Sequence, residues 1–188
     1  LPTVAAIYRD ANSSDMENWV AARALGHIGG KPAMRTLMAG VDSPRIITRL
    51  GAVSGLGLLG EKDSSGALER ALFDKAATVR AYAADSLASM QSRSSAPALS
   101  DALNLPANFM HGKSMFVRRH IIWALGEVGS IQGIDALIGT LQDPEAGLAL
   151  AASEALTKIT GATFRDPSLP PEAAPGESEV AQWKSWWS

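Results

Sequence analysis

The chain has 188 residues, enough for one ordinary domain with a sizeable core; 46% are hydrophobic and 19% charged, which excludes a disordered chain. No stretch of 18 purely apolar residues occurs, so no membrane insertion is expected. The formal net charge of -2 argues against a nucleic-acid partner, and the absence of Cys removes disulfides, thiolate nucleophiles and Cys-ligated zinc together.

Aromatics are only 6% of the residues and small side chains dominate the apolar set, which favours closely approaching helices over strands. The sequence begins Leu1-Pro2, with neither an initiator Met nor a signal-like segment. A trimmed form and a mature exported form both fit that start, so the compartment stays open.

In chain order, residues 1–14 precede a repeat and are expected to pack over Trp19. The repeat is marked by Leu25, Leu56, Leu87, Leu125 and Leu156, at intervals of 31, 31, 38 and 31 residues. Periods of this size belong to stacked supersecondary units, none of which buries its own apolar face. Four before each anchor stand Ala21, Ala52, Ala83, Ile121 and Ala152; three before, Ala22, Val53, Ala84, Ile122 and Ser153; three after, Ile28, Leu59, Met90, Val128 and Ile159. Offsets of three and four share one helical face, so this stripe is the inward side of a first helix in each unit. The residue just before the anchor is always small: Ala24, Gly55, Ser86, Ala124 or Ala155. A neighbouring helix can approach closely there.

First helices are expected to end at Gly29, Gly60 and Gly129, with Gln91 and Thr160 breaking the pattern and Gly161 following one residue late. Twelve and sixteen residues after each of the first four anchors come the pairs Leu37 and Val41, Leu68 and Leu72, Leu99 and Leu103, and Leu137 and Leu141, the core stripe of a second helix. Turns follow at Asp42-Ser43-Pro44, Asp74, Pro106 and Asp143-Pro144. Helix pairs are therefore predicted at roughly 15–41, 45–73, 76–105 and 115–142, with a fifth first helix at 145–160.

Two segments leave the register. The interval from Asn104 to Ser114 carries about seven extra residues, among them Pro106, Phe109, Met110, His111 and Gly112, and reads as a surface loop or a binding face. Residues 162–177 read as extended coil, followed by Val180, Trp183, Trp186 and Trp187 at helical spacing. That ending reads as a cap over the last unit or as a partner-docking helix. The domain division is thus a repeat domain over 1–161 and a linker with a Trp-rich cap over 162–188. The fold class is all-α, a right-handed α-solenoid of about five helical hairpins without strands.

The pattern of turn Asp, Val-Arg, an Ala-rich helix, Leu-Gly, an apolar residue and Gly, then Ala-x-x-x-Leu resembles the HEAT-like repeats grouped with phycobilisome lyases. It is best seen from Asp74 through Leu103 with Val79-Arg80, and from Val117-Arg118 through Ala136-Leu137 with Ala124-Leu125-Gly126 and Val128-Gly129. The resemblance covers about residues 15–161, and the Trp-rich ending is similar to that of some bacterial HEAT-repeat proteins. It implies a fold used for scaffolding, partner binding and complex assembly. It also brings enzymes into view: phycobilin lyases, whose bilin site no residue here marks, and deoxyhypusine hydroxylases, whose His-Glu pairs this chain lacks. HEAT-like DNA glycosylases use a basic groove, and the second helices here carry no Lys/Arg row.

Among candidate functional residues, Arg49, Arg80 and Arg118 stand seven before their anchors and form a ladder along one edge. Each is expected to bond the preceding turn, Asp42 or Asp74 for example, and fix unit geometry; an anion site is the alternative. Trp123 stands where other units carry Arg23, Ser54, Asp85 and Glu154, so an exposed aromatic is expected there, flanked by Arg119 and Glu127 with His120 close by. With Phe109 and His111 of the insertion these are the candidate partner-binding residues, packing of Trp123 under the insertion being the alternative. No catalytic, cofactor-binding or metal-ligating set is expected: His27, His111 and His120 are the only His, and Ser-x-x-Lys and Gly-x-Ser-x-Gly are absent. The leading functional expectation is a non-enzymatic scaffold that offers its second-helix surface, the insertion and Trp123 to a protein partner. A lyase-like enzyme and a nucleic-acid binder are the alternatives.

Overall fold

The computed structural model describes residues 2–188; Leu1, at the head of the expected repeat domain, lies outside them. A short helix α1 (Pro2–Arg9) leads into four helical hairpins: α2 (Asp15–Ile28) with α3 (Gly30–Gly40), α4 (Ile46–Leu59) with α5 (Ser65–Ala71), α6 (Ala77–Ser89) with α7 (Ala96–Leu103), and α8 (Phe116–Val128) with α9 (Ile134–Thr140). A fifth first helix, α10 (Ala146–Thr160), is followed by a non-helical stretch and by α11 (Glu177–Trp187). First helices stack on one another in the order α2, α4, α6, α8, α10, and each second helix packs chiefly on the first helix of the following unit, α3 on α4, α5 on α6, α7 on α8 and α9 on α10. The architecture is an all-α solenoid.

The 31-residue period holds because each unit completes its neighbour's core. Leu25, Leu56, Leu87, Leu125 and Leu156 are fully buried, as are Leu37, Leu68, Leu99 and Leu137 on the second helices. Burying a leucine contributes about 1.5–3 kcal/mol, so these nine side chains are enough to order short helices that would be marginal alone. The small residues set the approach distance. A Cβ on Gly55 would stand 2.7 Å from the Ala22 carbonyl oxygen and 2.8 Å from Leu37 Cδ2, so only glycine fits between α2 and α3. One unit on, Ser86 donates its hydroxyl to the Val53 carbonyl at 2.9 Å, which ties α6 to α4. One member of the inward stripe departs from expectation: Ile28 is 51% exposed. The first unit has no unit before it, and α1 covers α2 near Asn18, whose Nδ2 donates to the Tyr8 carbonyl, and not over its last turn.

Helix ends follow the glycines with one exception. Gly60, Gly129 and Gly161 are left-handed and cap α4, α8 and α10. In the third unit Gln91 takes that conformation itself, at φ 49. Its N–H donates to the Ala88 carbonyl and that of Ser92 to the Leu87 carbonyl, a complete Schellman closure built on a residue with a Cβ. Gln91 is exposed, so glycine loses no packing there. Gln91→Gly is expected to raise stability by about 0.5–1 kcal/mol in urea denaturation, because relief of the left-handed strain outweighs the extra chain entropy glycine loses on folding.

The terminal elements and the insertion complete the frame. Tyr8 of α1 is buried and donates its hydroxyl to the Thr48 carbonyl at 2.9 Å, and burial pushes that hydroxyl's pKa well above its usual value. At the other end α11 lies against α9 and α10 and takes the place that a fifth second helix would hold. Val180 and Trp183 are buried there, with the Phe164 ring edge-on to Trp183 at 4.7 Å. The 104–114 interval contains two short strands, which corrects the strandless reading: β1 (Phe109–Met110) pairs antiparallel with β2 (Lys113–Ser114). His111 and Gly112 both have positive φ, the pair of left-handed conformations that a two-residue hairpin turn requires.

Candidate binding surface

The arginines of the ladder are structural bolts at the hairpin edge. Arg49 forks onto Asp74, Nε to Oδ2 at 2.6 Å and Nη2 to Oδ1 at 3.0 Å, while its Nη1 donates to the Ser43 and Pro44 carbonyls. Arg118 Nη1 donates to Asp143 at 2.6 Å and to Ser114, its Nη2 to Asn104 and its Nε to the Leu103 carbonyl. The carboxylate therefore comes from the turn that follows the unit's own second helix, and the preceding connection supplies uncharged acceptors: backbone carbonyls for Arg49, and for Arg118 also the Asn104 amide oxygen and the Ser114 hydroxyl. Asp42, named as a partner from the sequence, meets only Arg70 at 4.0 Å. In the third unit the insertion displaces the expected acid, and Asn108 accepts from Arg80 Nε at 2.8 Å. Burial pulls the Arg80 pKa below its usual value and Asp74 opposes the shift. All three guanidinium side chains are buried, so an anion in solution does not reach them.

The candidate partner-binding residues divide between two places. Trp123, Arg119, His120 and Glu127 line a groove of about 530 Å³ on the outer face of α8 and α10, together with Asp85 from α6 and Gly126, Ala151, Glu154, Ala155 and Lys158. Phe109 and His111 do not line it. The Phe109 ring lies 4.8 Å from the Arg118 guanidinium carbon and so serves the bolt, while His111 forms the exposed hairpin turn. Trp123 is thus not covered by the insertion; it is 48% exposed.

Across the groove, His120 Nδ1 sits 2.8 Å from Asp85 Oδ1 and joins α8 to α6. Lys158 Nζ donates to Glu127 Oε1 at 2.5 Å and joins α10 to α8. The Phe116 ring meets His120 edge-on at 5.9 Å. Asp85, Glu154 and Lys158 were absent from the sequence candidates, although the repeat register contains them: Asp85 and Glu154 hold Trp123's position in adjacent units, and Lys158 holds that of Glu127. The lining has no hydroxyl or thiol nucleophile. Among the described residues no three His, Asp or Glu side chains are grouped as metal ligands, and no helix is long and apolar enough to cross a membrane.

The face on which this groove lies carries exposed apolar side chains in each of the first four units. Met16, Val20, Ile46, Leu58, Tyr82, Phe116 and Trp123, all on α2, α4, α6 or α8, are exposed; α3, α5, α7 and α9 expose no large hydrophobic side chain themselves, although Phe73 and Ile131 beside α5 and α9 and Trp186 and Trp187 of α11 are exposed. The second-helix surface expected to meet a partner exposes Arg35, Arg70, Asp101 and Asp135 on its helices. Trp19, expected beneath residues 1–14, turns its ring edge-on to Tyr82 at 6.1 Å, with the Arg23 guanidinium 5.7 Å from its centroid.

Comparison with known proteins agrees with this architecture. A family model for HEAT repeats matches residues 34–110, and one for the PBS lyase HEAT-like repeat matches residues 117–175. No protein of curated function matches the sequence. Among solved structures, the chain is similar to the complex of CpcE and CpcF of phycocyanin lyase from Nostoc sp. PCC7120, at 22% identity and a TM-score of 0.71 over 85% of this chain. It spans 64% of the length of that lyase chain. It is also similar to an engineered protein, at 18% identity and a TM-score of 0.53 over 85% of this chain and 80% of that one. Human deoxyhypusine hydroxylase in complex with glycerol gives 18% identity and a TM-score of 0.51 over 86% of this chain and 74% of that one. At such identities the likeness is one of fold. With two repeat models following one another along most of the solenoid, the chain belongs to the HEAT-repeat family.

Proposed function

We propose that the protein is a non-enzymatic scaffold that holds a protein partner on its first-helix face, with the α8–α10 groove and Trp123 at the centre of the contact. The observation that carries this reading is the half-exposed Trp123 set in a groove with charged neighbours, on a face where α2, α4, α6 and α8 each expose apolar side chains. Large apolar groups rimmed by charge mark contact surfaces, and tryptophan is over-represented among residues whose truncation costs most in binding. The groove is held open by the His120–Asp85 and Glu127–Lys158 contacts, so little ordering remains to be done on binding. The similar phycocyanin lyase structure is itself a complex of two proteins, which supports a protein as the partner class.

Affinity capture from native cells with wild type and Trp123→Ala in parallel tests the proposal. Truncating an interface tryptophan costs about 2 kcal/mol or more, so recovery of the partner is expected to fall about 30-fold in affinity terms. The melting temperature should stay within about 2 °C of wild type, because the side chain is half exposed and outside the core. Unchanged recovery of every partner would falsify the role of Trp123.

A further inference from the structure

The groove's charges divide into committed and uncommitted ones. Glu127 is taken by Lys158 and Asp85 by His120. Arg119 meets no carboxylate: its Nη2 donates only to the Gly147 carbonyl, at 3.3 Å. Glu154, exposed on α10, has no hydrogen-bond or ion-pair partner among the described residues. Between these two charges lies an apolar stretch made by Trp123 with Gly126, Ala151 and Ala155. Arg119, Trp123 and Gly126 follow one another at four and three residues along α8, and Gly147, Ala151 and Glu154 do the same along α10. Each step is therefore one helical turn, about 5–6 Å, on both walls.

We infer that the groove takes a helix of the partner protein carrying an acidic, an apolar and a basic side chain at successive one-turn positions. The carboxylate meets Arg119, the apolar side chain lies on Gly126 and Ala151 beside Trp123, and the cation meets Glu154. This rests on the protein-binding reading of the same groove and adds the chemistry of its occupant. A helix repeats one face at the pitch of the two walls, whereas an extended segment repeats a face every ~6.7 Å and is out of step by the third position. The small floor residues let a helix approach closely, and an uncommitted charge at each end gives the occupant its register.

The test is display selection of randomised helical peptides, about 18 residues long, against the full chain, with Trp123→Ala and Arg119→Glu as parallel baits. Both side chains are exposed, and circular dichroism verifies that each variant is folded. Peptides enriched on wild type are expected to carry acid, apolar and base at i, i+4 and i+7 or i+8, in either chain direction. They should bind Trp123→Ala about 30-fold more weakly. On Arg119→Glu, selection should place Lys or Arg where wild type took Asp or Glu. Trp123-dependent peptides with no charge preference, or with the same preference on Arg119→Glu, overturn the assignment of the occupant and leave the groove as a binding surface. If no Trp123-dependent peptide emerges, the binding reading of the groove falls with it.

Discussion

Arg118→Ala is expected to lower stability by about 3–5 kcal/mol, the range for removing one partner of a buried, hydrogen-bonded ion pair. The two side chains are 4% and 7% exposed, so water does not replace the lost guanidinium at Asp143. The same change strands the carbonyl of buried Leu103, which Arg118 also satisfies. Arg118→Lys should recover only part of the loss, since an ammonium cannot supply the fork that reaches four acceptors. Removing both charges, in Arg118→Ala with Asp143→Ala, should cost less than the sum of the single changes, because no buried charge is then left alone. Urea denaturation of wild type, Arg118→Ala, Arg118→Lys, Asp143→Ala and the double variant checks this. A loss below about 1 kcal/mol for Arg118→Ala would place the pair with ordinary surface bridges and remove its role as a bolt.

Trp183→Ala is expected to cost about 3–5 kcal/mol, with the damage confined to the C-terminal end. Trp183 is fully buried and, with Val180 and Phe164, holds α11 in the last second-helix place. Glu179 adds a buried tie, accepting from the Ser153 hydroxyl of α10, while the bonds of Lys184 to Gln142 and of the Trp187 indole to Asp135 are exposed. Because each unit contacts only its neighbours, hydrogen exchange should show protection lost in α10 and α11 while α2, α4 and α6 keep theirs. Trp183→Phe is a sharper test. The indole Nε1 is buried without a partner, so the phenyl ring removes an unsatisfied donor worth about 1–3 kcal/mol while giving up some packing. The phenylalanine variant should therefore lie within about 1 kcal/mol of wild type. Uniform loss of protection along the chain in Trp183→Ala would mean that the stack unfolds as one unit and not from its end.

What the sequence disclosed is what repeats. Leu25 through Leu156, the second-helix leucines and the small residue before each anchor recur because every unit solves the same packing problem. Their spacing alone located nine of the helices to within a few residues. What occurs once was harder to read. Helix α1 has no homologous unit to align with, and α11 lost its register to the stretch between Gly161 and Gly176, so neither position followed from the period. The hairpin of the insertion did leave a signal, a His-Gly pair able to take two left-handed conformations, but two residues on either side are too few for strand periodicity. The groove was half legible. Trp123 stood out against polar equivalents, whereas Asp85 and Glu154 looked unremarkable until the stack brought three units side by side. The apolar residues of the first helices lie one by one in separate units, so their gathering on one face followed only from the stack.

Site-specific photocrosslinking in native cells, with p-benzoylphenylalanine at position 123 and, separately, at 35 and 101 on the second helices α3 and α7, bears most directly on where the partner sits. A single dominant protein joined through position 123, with nothing comparable from 35 or 101, is the expected result. Adducts formed through 35 or 101 while 123 stays unreacted would put the partner on the opposite side of the solenoid and contradict the assignment of the first-helix face.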